Sequence, residues 1–146
     1  MKVGELCVRE TVLIEKDDTL LSAAALMRDY HVGALVVVET LGEKNIPMGI
    51  VTDRDIVVKG IAEAKSPQAK VGEIIAGELV TAPEEAQLYD VLERMKANGI
   101  RRMPVLDAEG YLAGILTMDD ILEFLTDEMK AIGALYGREV KKERKS

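Results

Sequence analysis

Two Thr-x-x-Asp steps are the residues in this sequence whose spacing best suits ligand chemistry. They run from Thr52 to Asp55 and from Thr117 to Asp120, each after an apolar run. A threonine at the end of a strand can cap the next helix, whose first N–H groups then form an anion site. An aspartate three residues later can accept hydrogen bonds from both hydroxyls of a ribose. The same spacing is a capping box, so a structural role is the alternative, and both roles can coexist.

Acidic pairs at the same two places offer a second kind of chemistry, magnesium binding or general acid–base catalysis. The pairs are Asp53 with Asp55 and Asp119 with Asp120. Adjacent acids at a helix start more often complement the helix dipole. One histidine and one cysteine exclude a structural zinc cluster, and neither a dinucleotide-binding glycine motif nor a P-loop is present. We therefore expect that the protein is not an enzyme.

The lone histidine and the lone cysteine are better explained by packing than by catalysis. His31 continues the helical spacing of Leu20, Ala24 and Met27, which predicts a packed or edge position. Cys7 lies between apolar neighbours, which predicts a small core residue in a reducing compartment.

Arg101 and Arg102 are the densest positive charge outside the C-terminal tail. Residues 138–146 carry five basic and two acidic residues, and the remaining 137 carry 14 basic and 24 acidic ones. The resulting net charge of −10 on that body would repel a phosphate backbone, so we expect no duplex nucleic-acid partner. An anionic ligand needs local positive charge, which the two arginines supply. The alternative is that both arginines are solvated residues at the start of a strand and bind no ligand.

The size and composition of the chain suit a compact fold that needs no disulfide bond or structural metal ion. It has 146 residues, 48% of them hydrophobic, and a mean hydropathy of +0.06. That apolar fraction is too high for a disordered chain, and no apolar run is long enough to span a membrane. The first five residues have no apolar signal region, so we expect a cytoplasmic protein.

An internal repeat determines where these residues stand. A displacement of 68 residues aligns Val3-Gly4-Glu5-Leu6 with Val71-Gly72-Glu73-Ile74, and it holds through residue 37. Beyond a polar loop the displacement becomes 65, and residues 49–56 match residues 114–121. The register changes only at a loop, where insertions are tolerated. The chain therefore contains two homologous units.

Each unit has the pattern β-α-β-β-α, which predicts an α+β fold. The first strands are predicted at Val12–Ile14 and Leu79–Thr81, and the first helices at Thr19–Tyr30 and Gln87–Asn98. Two further strands and a second helix, from Arg54 and from Asp119, complete each unit. We divide the chain into a first repeat, 1–65, a second repeat, 66–126, and a helical, basic tail, 127–146. Units this small bury a sheet poorly alone, so the two sheets should pack together.

The repeat resembles a tandem pair of CBS domains. The motif Gly-h-h-Thr-x-x-Asp, where h is apolar, is present at 49–55 and 114–120, with further marks at 100–105 and 81–83. The resemblance implies an intramolecular pseudo-dimer with two clefts, each able to take an adenosine compound such as AMP, ADP, ATP, S-adenosylmethionine or NAD. It further implies a regulatory role without catalysis, no cofactor other than that regulatory ligand, and a homodimer.

Carried over by position, the resemblance implies two unequal ligand sites. The better site consists of residues of the second repeat: Thr81, Ala82, Arg101, Arg102, Met103, Pro104, Thr117 and Asp120. Thr52 and Asp55 anchor the other, with Arg54 as a phosphate contact. Leu13 and Val36 depart from the pattern there, which weakens this second site.

A partner surface is expected on the helices. Ile121, Leu122, Phe124 and Leu125 are predicted to be exposed and to form a homodimer interface. The apolar positions Met129, Ile132, Leu135 and Tyr136 continue the helical spacing and either extend that interface or cover a sheet edge. A ligand-free dimerisation module, or one that binds another protein, is the rival hypothesis to a ligand sensor.

Overall fold

The computed structural model describes residues 1–75 and 77–145 and contains two repeats of one α+β unit. The first repeat comprises β1 Leu13–Glu15, α2 Leu20–Tyr30, β2 Ala34–Leu41, β3 Lys44–Thr52, α3 Asp53–Asp55 and a π-helical continuation, Ile56–Ile61. The second comprises β4 Ala82–Pro83, α4 Leu88–Asn98, β5 Arg102–Leu106, β6 Leu112–Thr117 and α5 Met118–Lys145. Short helical turns precede each repeat, α1 Val3–Leu6 and a 3-10 turn Val71–Glu73. The predicted β-α-β-β-α pattern is confirmed.

Each repeat forms a three-stranded sheet with the same topology. The first strand pairs with the second in parallel, and the second pairs with the third antiparallel, in the orders β1-β2-β3 and β4-β5-β6. The register places Thr52 opposite Ala34 and Thr117 opposite Arg102. Both threonines therefore lie at a strand end next to the first residue of the neighbouring strand.

The first helices begin and end as their sequences dictate. The Thr19 hydroxyl accepts a hydrogen bond from the Ser22 N–H at 3.0 Å, which caps α2. The helix ends at His31, whose φ of 54° is left-handed. His31 and Ala24 are exposed, and Ala23 is buried in their place. Of the packed and edge positions predicted for His31, the structure shows the edge position, because His31 is the exposed residue that follows the last residue of α2.

The first strand of the second repeat differs from its predicted position. It covers Ala82–Pro83 instead of Leu79–Thr81, and Ala82 pairs with Val105. The apolar run that precedes it does not join the sheet. Val80 packs against the second core, and Leu79 borders a cleft described below. The apolar character of these residues therefore reflects packing between elements, which sequence periodicity cannot distinguish from a strand.

The segment before each repeat packs onto the other repeat. Val3 is fully buried in the second core, and its N–H donates to the Ala86 carbonyl at 2.9 Å. Val71 is fully buried in the first core, and its N–H donates to the Asp18 carbonyl at 2.8 Å. A Cβ at Gly4 would lie 2.7 Å from the Glu84 Cβ, so only glycine fits this crossing. The exchange interlocks the two repeats into the predicted pseudo-dimer.

The last helix, α5, is one continuous helix of 28 residues. Ile121 is buried in the second core and Phe124 packs against it, so the expectation that both are exposed is wrong. Leu122 and Leu125 are exposed, as expected. Met129, Ile132, Leu135 and Tyr136 are also exposed, so they cover no sheet edge of the described chain. Ser146, the end of the predicted tail, lies outside the described residues.

The sequence predicts that no apolar run is long enough to span a membrane, and the helices of the structure can be compared with that prediction. Within residues 1–75 and 77–145, no helix combines the length and the apolar character that a membrane span requires.

Candidate functional site

The Thr117–Asp120 step joins β6 to α5 and leaves part of its carboxylate unengaged. The Thr117 hydroxyl donates to Asp120 Oδ2 at 2.7 Å and accepts from the Asp120 N–H at 3.1 Å. Within the described part of the chain, Oδ1 of Asp120 has no hydrogen-bond or ion-pair partner, and the residue is half-buried. The step therefore caps the helix and leaves one carboxylate oxygen without a partner among the described residues.

The Thr52–Asp55 step joins β3 to α3, and each of its carboxylate oxygens has a neighbouring polar group. The Thr52 N–H donates to Asp55 Oδ2 at 3.0 Å, and the Asp55 N–H donates to the Thr52 hydroxyl at 3.1 Å. Lys59 places its ammonium 3.6 Å from Asp55 Oδ1. The capping box is complete here, and the second oxygen holds a cation. The two steps are equivalent in sequence but differ in what they offer a ligand.

The Thr117–Asp120 step lies in a cleft between the two repeats, which we call cleft A. The cleft has a volume of about 340 Å³. First-repeat residues that line it are Val8, Glu10, Thr11, Val12, Val32, Gly33, Ala34 and Val36. Second-repeat residues are Arg102, Ile115, Thr117, Asp119 and Asp120. The lining combines an apolar wall with carboxylates, one guanidinium and small residues at the entry to β2.

A second cleft, cleft B, has a volume of about 430 Å³. Its lining is Met48, Gly49, Ile50, Gly72, Ile75, Gly77, Glu78, Leu79, Val80, Ile100 and Arg102. Glu78, Leu79 and Val80 correspond in the repeat to Glu10, Thr11 and Val12 of cleft A. The described lining of cleft B does not include Thr52, Arg54 or Asp55. Cleft B is therefore the repeat counterpart of cleft A without the aspartate step.

Arg102 is the predicted site residue with the most central position. It is half-buried at the start of β5, opposite Thr117, and it lines both clefts. Arg101 is exposed, and its guanidinium lies 3.8 Å from Asp119 Oδ1. Only the second of the two adjacent arginines therefore faces both cavities.

The structure brings Arg102, Thr117 and Asp120 together in cleft A, and Arg101 lines a smaller cavity with Arg102 and Thr117. The other residues predicted for the same site do not line cleft A. Ala82 and Met103 are fully buried in the second core, and Pro104 is also buried. Thr81 is half-buried just before β4 and borders neither cleft. Contact of these residues with a ligand stays a prediction, and so does contact of Thr52, Arg54 and Asp55.

Sequence reasoning missed the first-repeat half of cleft A. Thr11, Val12, Gly33 and Ala34 face the Thr117–Asp120 step of the other repeat. Spacing within one repeat says nothing about which repeat a segment faces. The Val-Gly-Glu segment that precedes both repeats was the available signal, because its repetition indicates a structural role for the residues that follow it, 8–12 in the first repeat. The backbone N–H groups of Val8 and Ile115 donate to each other's carbonyls at 2.9 Å, which holds this segment against β6.

The groups around cleft A include one titratable side chain with a shifted pKa. Cys7 precedes Val8 and is buried, and this burial raises the pKa of its thiol above the ordinary value of 9.0. Arg9 opposes the shift and Glu84 adds to it. The predicted role of Cys7 as a buried residue is confirmed.

Among residues 1–75 and 77–145, no group of three His, Cys, Asp or Glu side chains could hold a metal ion.

Comparison with known proteins gives the family context of this geometry. The model of the CBS domain matches residues 3–60 and again residues 71–127. The CBS domain-containing protein YhcV of Bacillus subtilis is 31% identical over 119 residues, which are 82% of this chain and 81% of the relative. The uncharacterized protein MK0525 of Methanopyrus kandleri is 34% identical over 124 residues. That match covers 84% of this chain but 62% of the relative, so the chain spans less than two thirds of its length.

Solved structures give the same architecture. The CBS domain pair of protein MJ0100, in complex with 5′-methylthioadenosine and S-adenosyl-L-methionine, superposes with a TM-score of 0.72 at 25% sequence identity. The superposition covers 86% of this chain and 99% of that one.

Proposed function

The chain belongs to the CBS-domain family, and from that premise we propose that it is a regulatory module that binds an adenosine-containing compound in cleft A. The observation that carries the proposal is the Thr117–Asp120 step. It presents an unengaged carboxylate oxygen at the wall of an interrepeat cleft. The adenosine compounds held by the CBS pair of MJ0100 support the choice of ligand class.

The chemistry of cleft A suits the three parts of a nucleotide. Asp120 accepts hydrogen bonds from the ribose hydroxyls, a contact that a carboxylate makes well. The apolar side chains of Val12, Val36 and Ile115 flank the base. Arg102 provides charge for a phosphate, and the small Gly33 and Ala34 leave room at the entry. AMP, ADP, ATP, NAD and S-adenosylmethionine share the adenosine that this arrangement recognises.

A thermal-shift screen tests the proposal. The panel is adenosine, AMP, ATP, NAD and S-adenosylmethionine, with guanosine and GMP as matched controls for the base. A ligand at 100 times its Kd stabilises the fold by about 2.7 kcal/mol. For a domain of this size the melting temperature should rise by roughly 5–10 °C. If no adenosine compound shifts the melting temperature at millimolar concentration, the proposal is wrong.

A ligand-free dimerisation or protein-interaction module is the second candidate. The exposed apolar side chains Leu122, Leu125, Met129 and Ile132 on α5 favour it. Under this hypothesis the screen is negative, while light scattering shows an oligomer. A positive screen with an oligomer leaves the ligand-binding module in place and adds a partner surface.

We further propose that the module does not catalyse a reaction and acts in the cytoplasm. Asp119 lies beside Arg101, and Asp55 is held by its cap and by Lys59, which supports a structural use of the acidic pairs. The one thiol of the chain, Cys7, is free and buried, as a reducing compartment allows. Turnover of any nucleotide that depends on magnesium would overturn the non-catalytic assignment.

A further inference from the structure

The exposed face of α5 carries an apolar stripe with the spacing of a coiled coil. Leu122, Leu125, Met129, Ile132 and Tyr136 follow one another at intervals of three, four, three and four residues. This alternation places all five on one seam of a helix. Met129 is 73% exposed and Ile132 is 67% exposed. Ile121 and Phe124, which pack on their own repeat, lie along one side of the seam.

The part of α5 beyond residue 128 needs a partner to be stable as a helix. Its side chains are exposed apart from the half-buried Gly137 and Val140, as far as the structure describes them. Gly133 and Gly137 each cost about 1 kcal/mol of helix stability relative to alanine. Isolated helices of this length are marginal in water. Packing along the apolar seam is the contact that would stabilise it.

The charges on α5 are segregated along its length. Residues 118–128 contain five acidic residues and no basic one, whereas residues 129–145 contain six basic and two acidic residues. A second copy of the same helix, placed antiparallel, brings the acidic half of each against the basic half of the other. A parallel copy brings like charges together. The acidic half also opposes contact with an anionic lipid surface.

We propose that α5 of a second copy of this chain covers the seam as an antiparallel two-stranded coiled coil. A two-fold axis between Met129 and Ile132 places each of these residues beside the other in the second copy. The same axis places Leu125 beside Tyr136 and Leu122 beside Glu139, so the apolar layers coincide over residues 125–136. Residues 138–143, with three basic and two acidic side chains, then lie beside residues 118–123 of the second copy, with three acidic side chains and no basic one. The pairing extends along a helix about 42 Å long.

Sedimentation equilibrium of the full chain tests the interface with two matched variants. Ile132→Glu places a carboxylate in the seam and should weaken the dimer by on the order of tenfold or more, because a buried unpaired charge is costly. Ala134→Glu adds the same charge on the exposed outer face two residues away and should leave the dimer unchanged. Circular dichroism checks that both variants fold. A monomeric wild type, a dimer insensitive to Ile132→Glu, or equal weakening by both variants would overturn the proposal.

Cysteine cross-linking tests the direction of the pairing. A mixture of the Leu125→Cys and Tyr136→Cys chains should form a disulfide between the two different chains. Leu125→Cys alone should not, because its two copies lie far apart along the antiparallel pair. The buried Cys7 of the wild type is the built-in control for background oxidation. Cross-linking of Leu125→Cys with itself, without the mixed product, would show a parallel pair and overturn the assigned direction.

Discussion

At the scale of single residues, the two aspartate steps share one motif but differ in the partners of their carboxylates. Asp55 accepts a hydrogen bond from the Thr52 N–H and lies near the Lys59 ammonium, whereas Asp120 accepts the Thr117 hydroxyl and has one oxygen without a partner among the described residues. Capping stabilises the start of a helix in both repeats. The step with fewer internal partners is the one that borders cleft A. The two aspartates therefore differ in how many partners the fold itself gives them.

Alanine substitution at the two aspartates should separate binding from stability. Asp120→Ala should abolish the thermal shift caused by an adenosine ligand and lower the free energy of unfolding by about 0.5 kcal/mol. Asp55→Ala should lower the free energy of unfolding by about 1 kcal/mol or more, because it removes a reciprocal cap. It should leave the ligand shift in place. Urea unfolding and thermal shift measure the two effects, and the reverse pattern would assign the ligand to the first-repeat step.

The adjacent arginines should differ in their effect on phosphate recognition. Arg102→Gln should weaken ATP and AMP by about tenfold, since a charge-assisted hydrogen bond is lost, and should leave adenosine unaffected. Arg101→Gln is the matched control, because Arg101 is exposed and lies beside Asp119. Isothermal titration with adenosine, AMP and ATP measures the difference. Equal losses for adenosine and ATP would mean that Arg102 supports the fold of the cleft instead of a phosphate.

The buried thiol predicts a dependence of stability on alkaline pH. Burial raises the pKa of Cys7, so the folded chain keeps this proton at a pH where the unfolded chain has lost it. The contribution of the thiol to stability is complete below the ordinary pKa of 9.0 and is lost as the pH rises toward the folded value. Wild type should therefore lose more stability than Cys7→Ala between pH 8 and pH 10. Equal losses in urea unfolding would exclude this linkage.

At the scale of elements, the exchanged leading segments explain how two small units become one fold. Val3 completes the second core and Val71 completes the first, and each is fully buried. The chain continues from each segment into residues that line a cleft, 8–12 for cleft A and 78–80 for cleft B. A ligand in either cleft therefore contacts a segment anchored in the opposite core.

Alanine substitution of Val3 and Val71 should show that each valine stabilises the repeat that it does not precede. Val3→Ala and Val71→Ala should each lower the free energy of unfolding by about 2 kcal/mol. Val3→Ala should speed amide hydrogen exchange mainly in α4, and Val71→Ala mainly in α2, although each valine precedes the other repeat in sequence. Mass-spectrometric exchange on the two variants and wild type measures this. Faster exchange in the repeat that directly follows the mutated valine would contradict the crossed packing.

Much of the architecture could be predicted from sequence, because local patterns determine it. Thr19 and Gln87 were placed at the helix starts, and Thr52 and Thr117 at the strand ends, where the structure has them. The composition of cleft A was not predictable, since it depends on which repeat each segment faces. The 82–83 strand was misplaced for a related reason, because the apolar residues before it face other elements and not a sheet partner.

At the scale of the whole molecule, the charge distribution bears on assembly more than on binding. The body of the chain carries a net charge of −10 and the last nine residues carry +3. A free basic tail would attract polyanions, whereas a tail held against the acidic start of a second α5 would be neutralised locally. In the proposed antiparallel pairing, the basic end of α5 therefore lies beside the acidic start of α5 in a second copy of the chain.

Binding of single-stranded RNA at low salt measures how far the basic end of α5 is occupied. If the second copy covers residues 138–143, the dimeric wild type should bind a 20-nucleotide RNA weakly at 50 mM salt. At a concentration where wild type is dimeric and Ile132→Glu is monomeric, the variant should bind about tenfold more tightly despite its added negative charge, because freed basic side chains release counterions from the phosphates. Ala134→Glu carries the same added charge and stays dimeric, so it should bind no better than wild type. Fluorescence anisotropy at several salt concentrations gives the three affinities. Equal affinities for the monomeric and dimeric chains would show that the basic end is not engaged in the dimer.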